Sequence, residues 1–378
     1  MKICKEFKGD RPCKYYWLDK SHNCWDSDSP YYSEYSHRIL LIKLDALGDV
    51  IRCTPLAEGI KKKYPNSQLI WLTQKESIIF LEGNKFIDKI VSYNDENIRI
   101  LQCQTFDIII NLDKDSKATS MITLFNSDDK RGYGLSAEGY PIPINKETEY
   151  YYKICLDNWG SKLKNTKTYI EMMFEASKLK YNGEKPVIFF DKNKSKDFKD
   201  SFFRRYGIKS NEKIVILNTG CGTVFPHKKW TYYGYKSLIE QLIKDNNFRI
   251  ILAGSVSEKN RNKKLYNDFK SLKIIDTTDS YSLIQFCYLM DFSDIVITGD
   301  TMALHLGISL NKKIITFFGP TFHQDTDLFG LGKKFVREEL DCIGCHDQFE
   351  CPYDGKCMTL ITADEVHLAI IETSEEIK

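Results

Sequence analysis

No stretch of this 378-residue chain approaches the ~20 consecutive apolar residues that a membrane-spanning helix needs. The opening residues, Met1-Lys2-Ile3-Cys4-Lys5-Glu6, carry no apolar run of signal-peptide type. The sequence therefore reads as cytosolic, with no transmembrane segment. It also has no excess of either charge: 54 basic and 52 acidic residues leave a formal net charge of +2. That balance gives no long-range pull towards nucleic acid or anionic membrane, so nucleic-acid binding is not expected. Residues 1–37 lack any periodic apolar pattern and are too few to fold on a core of their own. They read as an appendage.

What is present is ordinary globular substance, with 42% hydrophobic residues. The length is more than one core usually holds, so two domains are expected. From Arg38 onward, short apolar runs alternate with helical patterns. Ile39-Leu40-Leu41-Ile42 reads as a buried strand, with a helix over Val50 to Tyr64 behind it. Further strands follow at Gln68–Thr73, Lys89–Val91, Phe106–Leu112 and around Arg131–Gly134. Residues 135–165, Tyr-rich and interrupted by Pro141 and Pro143, read as a loop over one mouth of the domain. Helices are expected over Thr166–Leu179 and Asp197–Tyr206. After a polar break at Gly207–Glu212 the same grammar restarts with strands at Ile214–Leu217, Arg249–Ala253, Lys273–Ile275, Ile295–Thr298 and Lys313–Phe318. The fold class is α/β, with two facing Rossmann-like domains and a cleft between them. The boundaries are an appendage over 1–37, a first domain over 38–207, a second over 208–362, and a final helix within 363–378.

Four loops at the C-terminal ends of strands carry residues with chemistry. Lys43-Leu44-Asp45-Ala46-Leu47-Gly48-Asp49 opens a helix. Asp49 reads either as an N-cap or as a carboxylate at the cleft mouth, able to take a proton from a hydroxyl. Thr219-Gly220-Cys221-Gly222 leads to Lys228-Lys229, which read either as solvated lysines or as phosphate ligands. Gly254-Ser255-Val256-Ser257-Glu258 offers a helix cap or a carboxylate for ribose hydroxyls. Gly299-Asp300-Thr301-Met302-Ala303-Leu304-His305 is a strand–turn–helix with Asp300 or Thr301 as N-cap. Such a turn suits a phosphate group, because free amides and the positive end of the helix dipole point there. Asp113, after the fourth strand, is a second carboxylate expected to point into the cleft. Asp113-Lys114-Asp115 also spells a D-x-D pattern, which is short enough to arise by chance.

Taken together and in order, these residues resemble glycosyltransferase family 9, the ADP-heptose heptosyltransferases of the GT-B fold. The resemblance is carried by Ile39 to Val50 with Thr54-Pro55-Leu56, Lys228-Lys229-Trp230, Ala253-Gly254-Ser255 with Glu258, Gly299-Asp300-Thr301 with His305-Leu306, and Phe318-Gly319-Pro320-Thr321. It implies an inverting transfer of heptose from ADP-heptose to an acceptor hydroxyl on a lipopolysaccharide core sugar, another lipid-linked glycan or a protein side chain, with no metal needed for transfer. It implies Asp49 as general base. Lys228, Gly299, Asp300, Thr301 and His305 would hold the donor's diphosphate and sugar, Glu258 its ribose, and Lys43 would face the acceptor. Leu44-Asp45 stand where small hydroxyl residues are usual. The alternatives are transfer from another nucleotide sugar, or a non-catalytic metal-binding regulator on the same scaffold.

The chain holds twelve cysteines. In a reducing compartment, clusters of them point to metal rather than to disulfides. Cys342, Cys345, Cys351 and Cys357 lie in a short loop with Gly344, Pro352 and Gly355. Four thiolates at this spacing suit tetrahedral zinc, iron or an iron–sulfur cluster in a structural role. Cys4, Cys13 and Cys24 form a second group lacking a fourth cysteine, which His22 or Asp26 would complete. The GT-B resemblance implies that the final helix crosses back to the first domain, which would bring the two groups together.

Overall fold

The protein is described by a computed structural model over residues 4–20, 29–156, 164–222, 225–346 and 350–377. Two sheets dominate it. The first contains β1 (His37–Ile42), β2 (Ser67–Thr73), β3 (Lys89–Ser92), β4 (Ile108–Asn111), β5 (Asp129–Leu135) and β6 (Pro141–Pro143), in the order β3-β2-β1-β4-β5-β6. All its pairings are parallel except that of β5 with β6. The second contains β7 (Lys213–Asn218), β8 (Phe248–Ala253), β9 (Ile274–Asp276), β10 (Ile295–Gly299), β11 (Lys313–Phe317) and β12 (Gly332–Phe335), in the order β12-β11-β10-β7-β8-β9, parallel throughout. The central strands read as unbroken apolar runs because helices cover both faces: Ile39 to Ile42 and Ile295 to Ile297 are wholly buried.

Strand order reverses between β1 and β4 in the first sheet and between β7 and β10 in the second. A crevice opens outside the carboxyl ends of strands at such a reversal. Each of the four strand ends found there carries a residue singled out from the sequence: Lys43 after β1, Asp113 after β4, Thr219-Gly220 after β7 and Asp300 after β10.

The helices sharpen the sequence reading. The helix expected over 50–64 is two: α1 (Leu47–Cys53) and α2 (Pro55–Lys63). Pro55 has no N–H to donate into the preceding turn and instead starts a new helix. α3 (Asp95–Gln102), unread in the sequence, is capped by Asn94, which accepts from the Asn97 amide at 2.9 Å. Only Leu101 of that helix is buried, so it carried little apolar periodicity. α4 spans Ser116–Leu124. The segment read as a loop over 135–165 contains β6 and α5 (Glu149–Leu156). There the two prolines sit on an edge strand, where a missing donor is tolerated. α6 is Tyr169–Ala176, with Thr168 as its cap.

α7 (Lys192–Tyr206) precedes the polar break, yet it packs on the second sheet's side. Its Phe198 and Phe202 meet Tyr281, Tyr288 and Phe292 around α10 (Leu283–Asp291). Between them lie α8 (Tyr232–Asp245) and α9 (Lys259–Phe269), and after them α11 (Met302–Ser309). The final helix, α12 (Ala363–Glu375), does not cross back to the first domain. It lies along α8, tied by His367 to Asp245 at 2.6 Å and by Gln241 to Asp364 at 2.5 Å, with Val366 and Ile370 in the second domain's core. No helix among the described residues is long and apolar enough to cross a membrane.

The two domains meet at α1 and α11. A Cβ on Gly48 would lie 2.8 Å from Cδ2 of His305 and 3.3 Å from the Cα of Met302. Gly48 therefore lets one helix sit directly against the other, and Ile51 of α1 shares a buried cluster with Ala303 and Leu306 of α11.

Candidate active site

The β1–α1 loop is fixed from below. Lys43 is 1% exposed, and its ammonium donates to the Asp113 carboxylate and to the carbonyl of Asp45. The other oxygen of Asp113 accepts from the Leu44 amide. Burial works against the charge on Lys43, but the Asp113 and Asp49 carboxylates outweigh it and hold its pKa above the ordinary value. Burial pushes the Asp113 carboxyl upward while Lys43 opposes. Lys43 thus faces Asp113, and Asp113, 6% exposed, braces the loop. Asp115 of the D-x-D pattern caps α4, accepting from the amides of Lys117 and Ala118 at 2.9 and 3.2 Å.

Asp49 is not an N-cap; Ala46 holds that position, and Asp49 lies in the first turn of α1. A third of its side-chain surface opens to the cleft, and Arg52 Nη2 donates to Oδ1 at 2.5 Å. Burial raises its pKa, but Arg52 and then Lys43 outweigh that and hold the carboxyl well below the usual range. Asp49 is therefore ionised throughout the physiological range.

The second domain supplies the facing wall. Thr301, not Asp300, caps α11, accepting from the Ala303 amide at 3.2 Å. The Asn218 amide group from the end of β7 reaches the Thr301 hydroxyl at 3.2 Å and that of Thr298 at 2.9 Å, which locks the turn. Lys228 Nζ lies 3.2 Å from Asp300 Oδ2. Burial raises the Asp300 carboxyl, and Lys228, His305 and Arg52 outweigh it to hold it low. Gly299 admits this approach, since a Cβ there would stand 3.0 Å from the Lys228 carbonyl. His305 is 4% exposed, with Nε2 3.8 Å from Asp300 Oδ1 and Nδ1 buried without a partner. Burial, joined by Arg52, lowers its pKa to about 3, so the ring is neutral and Nδ1 is an orphaned polar atom at the site.

Glu258 is 3% exposed and completes a capping box. It accepts from the Ser255 amide at 3.0 Å and from the Ser255 and Ser257 hydroxyls at 2.8 and 2.7 Å. Lys229, rather than Lys228, is its ionic neighbour, at 3.9 Å. The cap of this turn is Ser255, and Glu258 is the third residue of its box. Gly220 lies flat against it: a Cβ there would be 2.1 Å from Cδ of Glu258.

Three residues of the site were not read from the sequence. Arg52 sits one turn after Asp49, its guanidinium carbon 3.8 Å over the ring of Tyr169. Asp325, in the loop after β11, places Oδ2 3.8 Å from Arg52 Nη1, and its carbonyl accepts from the Tyr169 amide at 2.8 Å. Spacing alone marks Arg52 as a helical neighbour of Asp49; nothing local marks Asp325 or Tyr169, which reach the site only through the fold.

The cysteine loop abuts this region. The amides of Gly344 and His346 donate to the carbonyls of Gly319 and Pro320 at 2.8 and 2.7 Å, at the root of the Asp325 loop. Cys342, Cys345, Cys351 and Cys357 lie within electrostatic reach of one another, and burial, with the other thiols adding, pushes Cys357 up to about 12. Among the described residues, no three histidine, cysteine, aspartate or glutamate side chains converge to metal-ligand distance. Cys4 bridges to Glu34, and Cys13 precedes a helical turn over Lys14–Leu18. Cys24, His22 and Asp26 lie outside the described residues. The N-terminal segment attaches beside Asn66, at the amino end of β2, whereas the loop over 342–357 lies at the carboxyl end of β11. Among the described residues, Cys4 and Cys13 thus belong to a segment at the first sheet, and Cys342, Cys345, Cys351 and Cys357 to one at the second.

Comparison with known proteins agrees with this geometry. The sequence model described as "Glycosyltransferase family 9 (heptosyltransferase)" matches residues 97–354, more than half of the chain. Lys43 and Asp49 lie ahead of that stretch. The chain is 23% identical over 253 residues to the lipooligosaccharide heptosyltransferase 2 of Campylobacter jejuni, covering 59% of this chain and 79% of that one. It is 20% identical over 358 residues to the lipopolysaccharide heptosyltransferase 1 of Escherichia coli, covering 90% and 98%. Among solved structures, a family 9 glycosyltransferase from Veillonella parvula superposes with a TM-score of 0.70 at 16% identity, covering 90% of this chain and 98% of that one. The E. coli ADP-heptose LPS heptosyltransferase II gives 0.67 at 15% identity, covering 90% and 99%. At these identities the superpositions establish the two-domain Rossmann-like fold of the GT-B heptosyltransferases. With the family match, the conclusion is that this chain belongs to glycosyltransferase family 9, the heptosyltransferases, and is a glycosyltransferase.

Proposed function

We propose that the enzyme transfers a heptose from ADP-heptose to an acceptor hydroxyl, inverting the anomeric carbon in one displacement. The observation that carries this reading is the placement of an ionised carboxylate, Asp49, on one domain opposite a cation, a capped helix start and an orphaned imidazole nitrogen on the other. The ADP-heptose named for the E. coli structure supports the choice of donor. Asp49 takes the proton of the attacking hydroxyl. Lys228 and the start of α11 at Thr301 stabilise the negative charge that builds on the departing diphosphate, a task suited to fixed dipoles. His305, neutral, orients the donor through Nδ1. Glu258, beside Lys229 and Gly220, would hold the ribose. The acceptor is a lipopolysaccharide core sugar or a protein side chain.

The deciding experiment is mass spectrometry of products after incubation with ADP-heptose and each acceptor class. Asp49→Ala should lose transfer by about 100-fold or more, in the range typical of general-base removal, while binding ADP as the wild type does. Undiminished transfer by that variant would remove the base assignment. Transfer from a different nucleotide sugar in preference to ADP-heptose would overturn the donor.

The four thiols of the loop over 342–357 are in composition a set for zinc or iron. We propose that they hold a structural metal that ties this loop to Gly319 and Pro320. Elemental analysis of the purified protein tests it: about one metal per chain is expected, lost together when Cys345 and Cys351 are replaced by serine.

A further inference from the structure

Arg52 is held in an unusual way. The face of its guanidinium is fixed on the Tyr169 ring, one end touches Asp49 of its own helix, and the other end points across the cleft to Asp325 of the other domain. Stacking restricts the group to sliding in its own plane, and a slide of about 1 Å along that plane would exchange one carboxylate for the other. Its Nε is buried and has no partner, so the present arrangement leaves a donor unused. Asp325 itself is held by its backbone, the Tyr169 amide donating to its carbonyl, while Oδ1 accepts from the Thr326 hydroxyl at 3.1 Å and Oδ2 faces Arg52.

We propose that Asp325 is a positioning residue for the transfer, drawing Arg52 away from Asp49 and so leaving Asp49 free to accept the acceptor's proton. The inference rests on the reading of Asp49 as the base. A carboxylate gripped by a guanidinium is a weak base, because the cation stabilises the form that must be consumed. Transferring the guanidinium to Asp325 raises the proton affinity of Asp49 without changing its place. The proton then passes from the acceptor oxygen to Asp49 as that oxygen bonds to the anomeric carbon and the diphosphate leaves with the electron pair of the broken bond.

This exchange is open only while Asp325 is ionised. Burial pushes its carboxyl up to about 6, against Arg52 and with Asp300 and Asp49 adding. The other titratable groups facing it are Asp49, Asp300, Tyr151, His305 and Lys334. Asp49 and Asp300 are held low, Tyr151 is pushed high by burial, His305 is near 3, and Lys334 is lowered by burial from the ordinary lysine value. Turnover should therefore rise with pH through about 6.

The test compares wild type, Asp325→Asn and the double variant Arg52→Gln/Asp325→Asn, using ADP-heptose and an accepted acceptor from pH 5 to 8. Asp325→Asn keeps the backbone bond to Tyr169. It should lower kcat about tenfold at pH 7.5 with donor KM within about twofold, and flatten the acid limb near pH 6. Removing Arg52 in that background should recover turnover relative to Asp325→Asn alone, which a purely structural role would not produce. In parallel, the ¹⁵Nε resonance of Arg52 should titrate near pH 6 in the wild type and not in Asp325→Asn. An acid limb unchanged in Asp325→Asn, or a double variant slower than the single, overturns the inference. Absence of any turnover of ADP-heptose, with Arg52 still titrating near 6, overturns the donor reading and leaves the exchange standing.

Discussion

Gly48→Ala tests whether the two domains act as one site. The residue lies in α1 beside the proposed base, and its α-hydrogens face α11 of the other domain. A methyl group there would stand 2.8 Å from Cδ2 of His305 and 3.3 Å from the Cα of Met302. Ordinary carbon contacts begin near 3.5 Å, so the deficit against the imidazole is about 0.7 Å. His305 is enclosed and Met302 offers backbone, so neither partner yields easily; α1 and α11 must part instead. Overpacking of this kind costs about 1–3 kcal/mol, and here the strain falls on the contact between domains rather than on either core. Asp49 would recede from Lys228 and Asp300 by a few tenths of an ångström or more, and misplacement approaching 1 Å costs about 100-fold in rate. The expected result is a kcat lowered about 10- to 100-fold, with ADP affinity changed less than threefold, because the residues proposed to hold ADP lie in the second domain. Steady-state kinetics and calorimetric titration with ADP measure the two quantities. Wild-type kcat in Gly48→Ala would refute the argument that α1 and α11 must touch for transfer.

Three further outcomes follow from particular contacts. Asp325 has a folded-state pKa of about 6, raised chiefly by burial above the ordinary carboxylate value. Its stabilising contribution is therefore full below about pH 4 and lost as pH rises through about 6. Asp325→Asn stays neutral, so its stability relative to wild type should improve by up to about 3 kcal/mol between pH 4 and pH 7.5 in urea titrations; a constant difference would contradict this. Asp113→Asn leaves the buried Lys43 ammonium without its counter-charge and should destabilise the first domain by about 3–5 kcal/mol, read as a lower urea midpoint. Gly220→Ala would force a methyl group into the Glu258 carboxylate; it should weaken ADP binding at least tenfold while the thermal midpoint changes by only a few degrees, both measurable in one thermal-shift series.

The strands and their order along the chain were legible because parallel strands buried on both faces read as unbroken apolar runs, as Ile39 to Ile42 and Ile295 to Ile297 do. The loops at their carboxyl ends were legible because the glycine, lysine and hydroxyl residues needed there are local. What escaped was whatever depends on two distant segments meeting. The ion pair of Lys43 with Asp113, seventy residues on in sequence, has no local signature. Asp325 has no local signature at all. It matters because the carbonyl–amide bond to Tyr169 carries the loop after β11 across to α6, and because Arg52 stands between. α12 stays with the second domain because its apolar face, Val366 and Ile370, fits beside α8, which the chain order alone does not decide. The same reasoning gives the cysteine loop a place in the site's architecture. Its Gly344 and His346 amides donate hydrogen bonds to the carbonyls of Gly319 and Pro320, and those residues begin the segment that delivers Asp325 to Arg52. A metal held by Cys342, Cys345, Cys351 and Cys357 would therefore act on transfer at a distance, by stiffening the approach of one carboxylate. Its removal should lower kcat and blunt the pH dependence near 6 before it unfolds the domain, whereas loss of structure without a preceding change in the pH profile would confine the loop to stability.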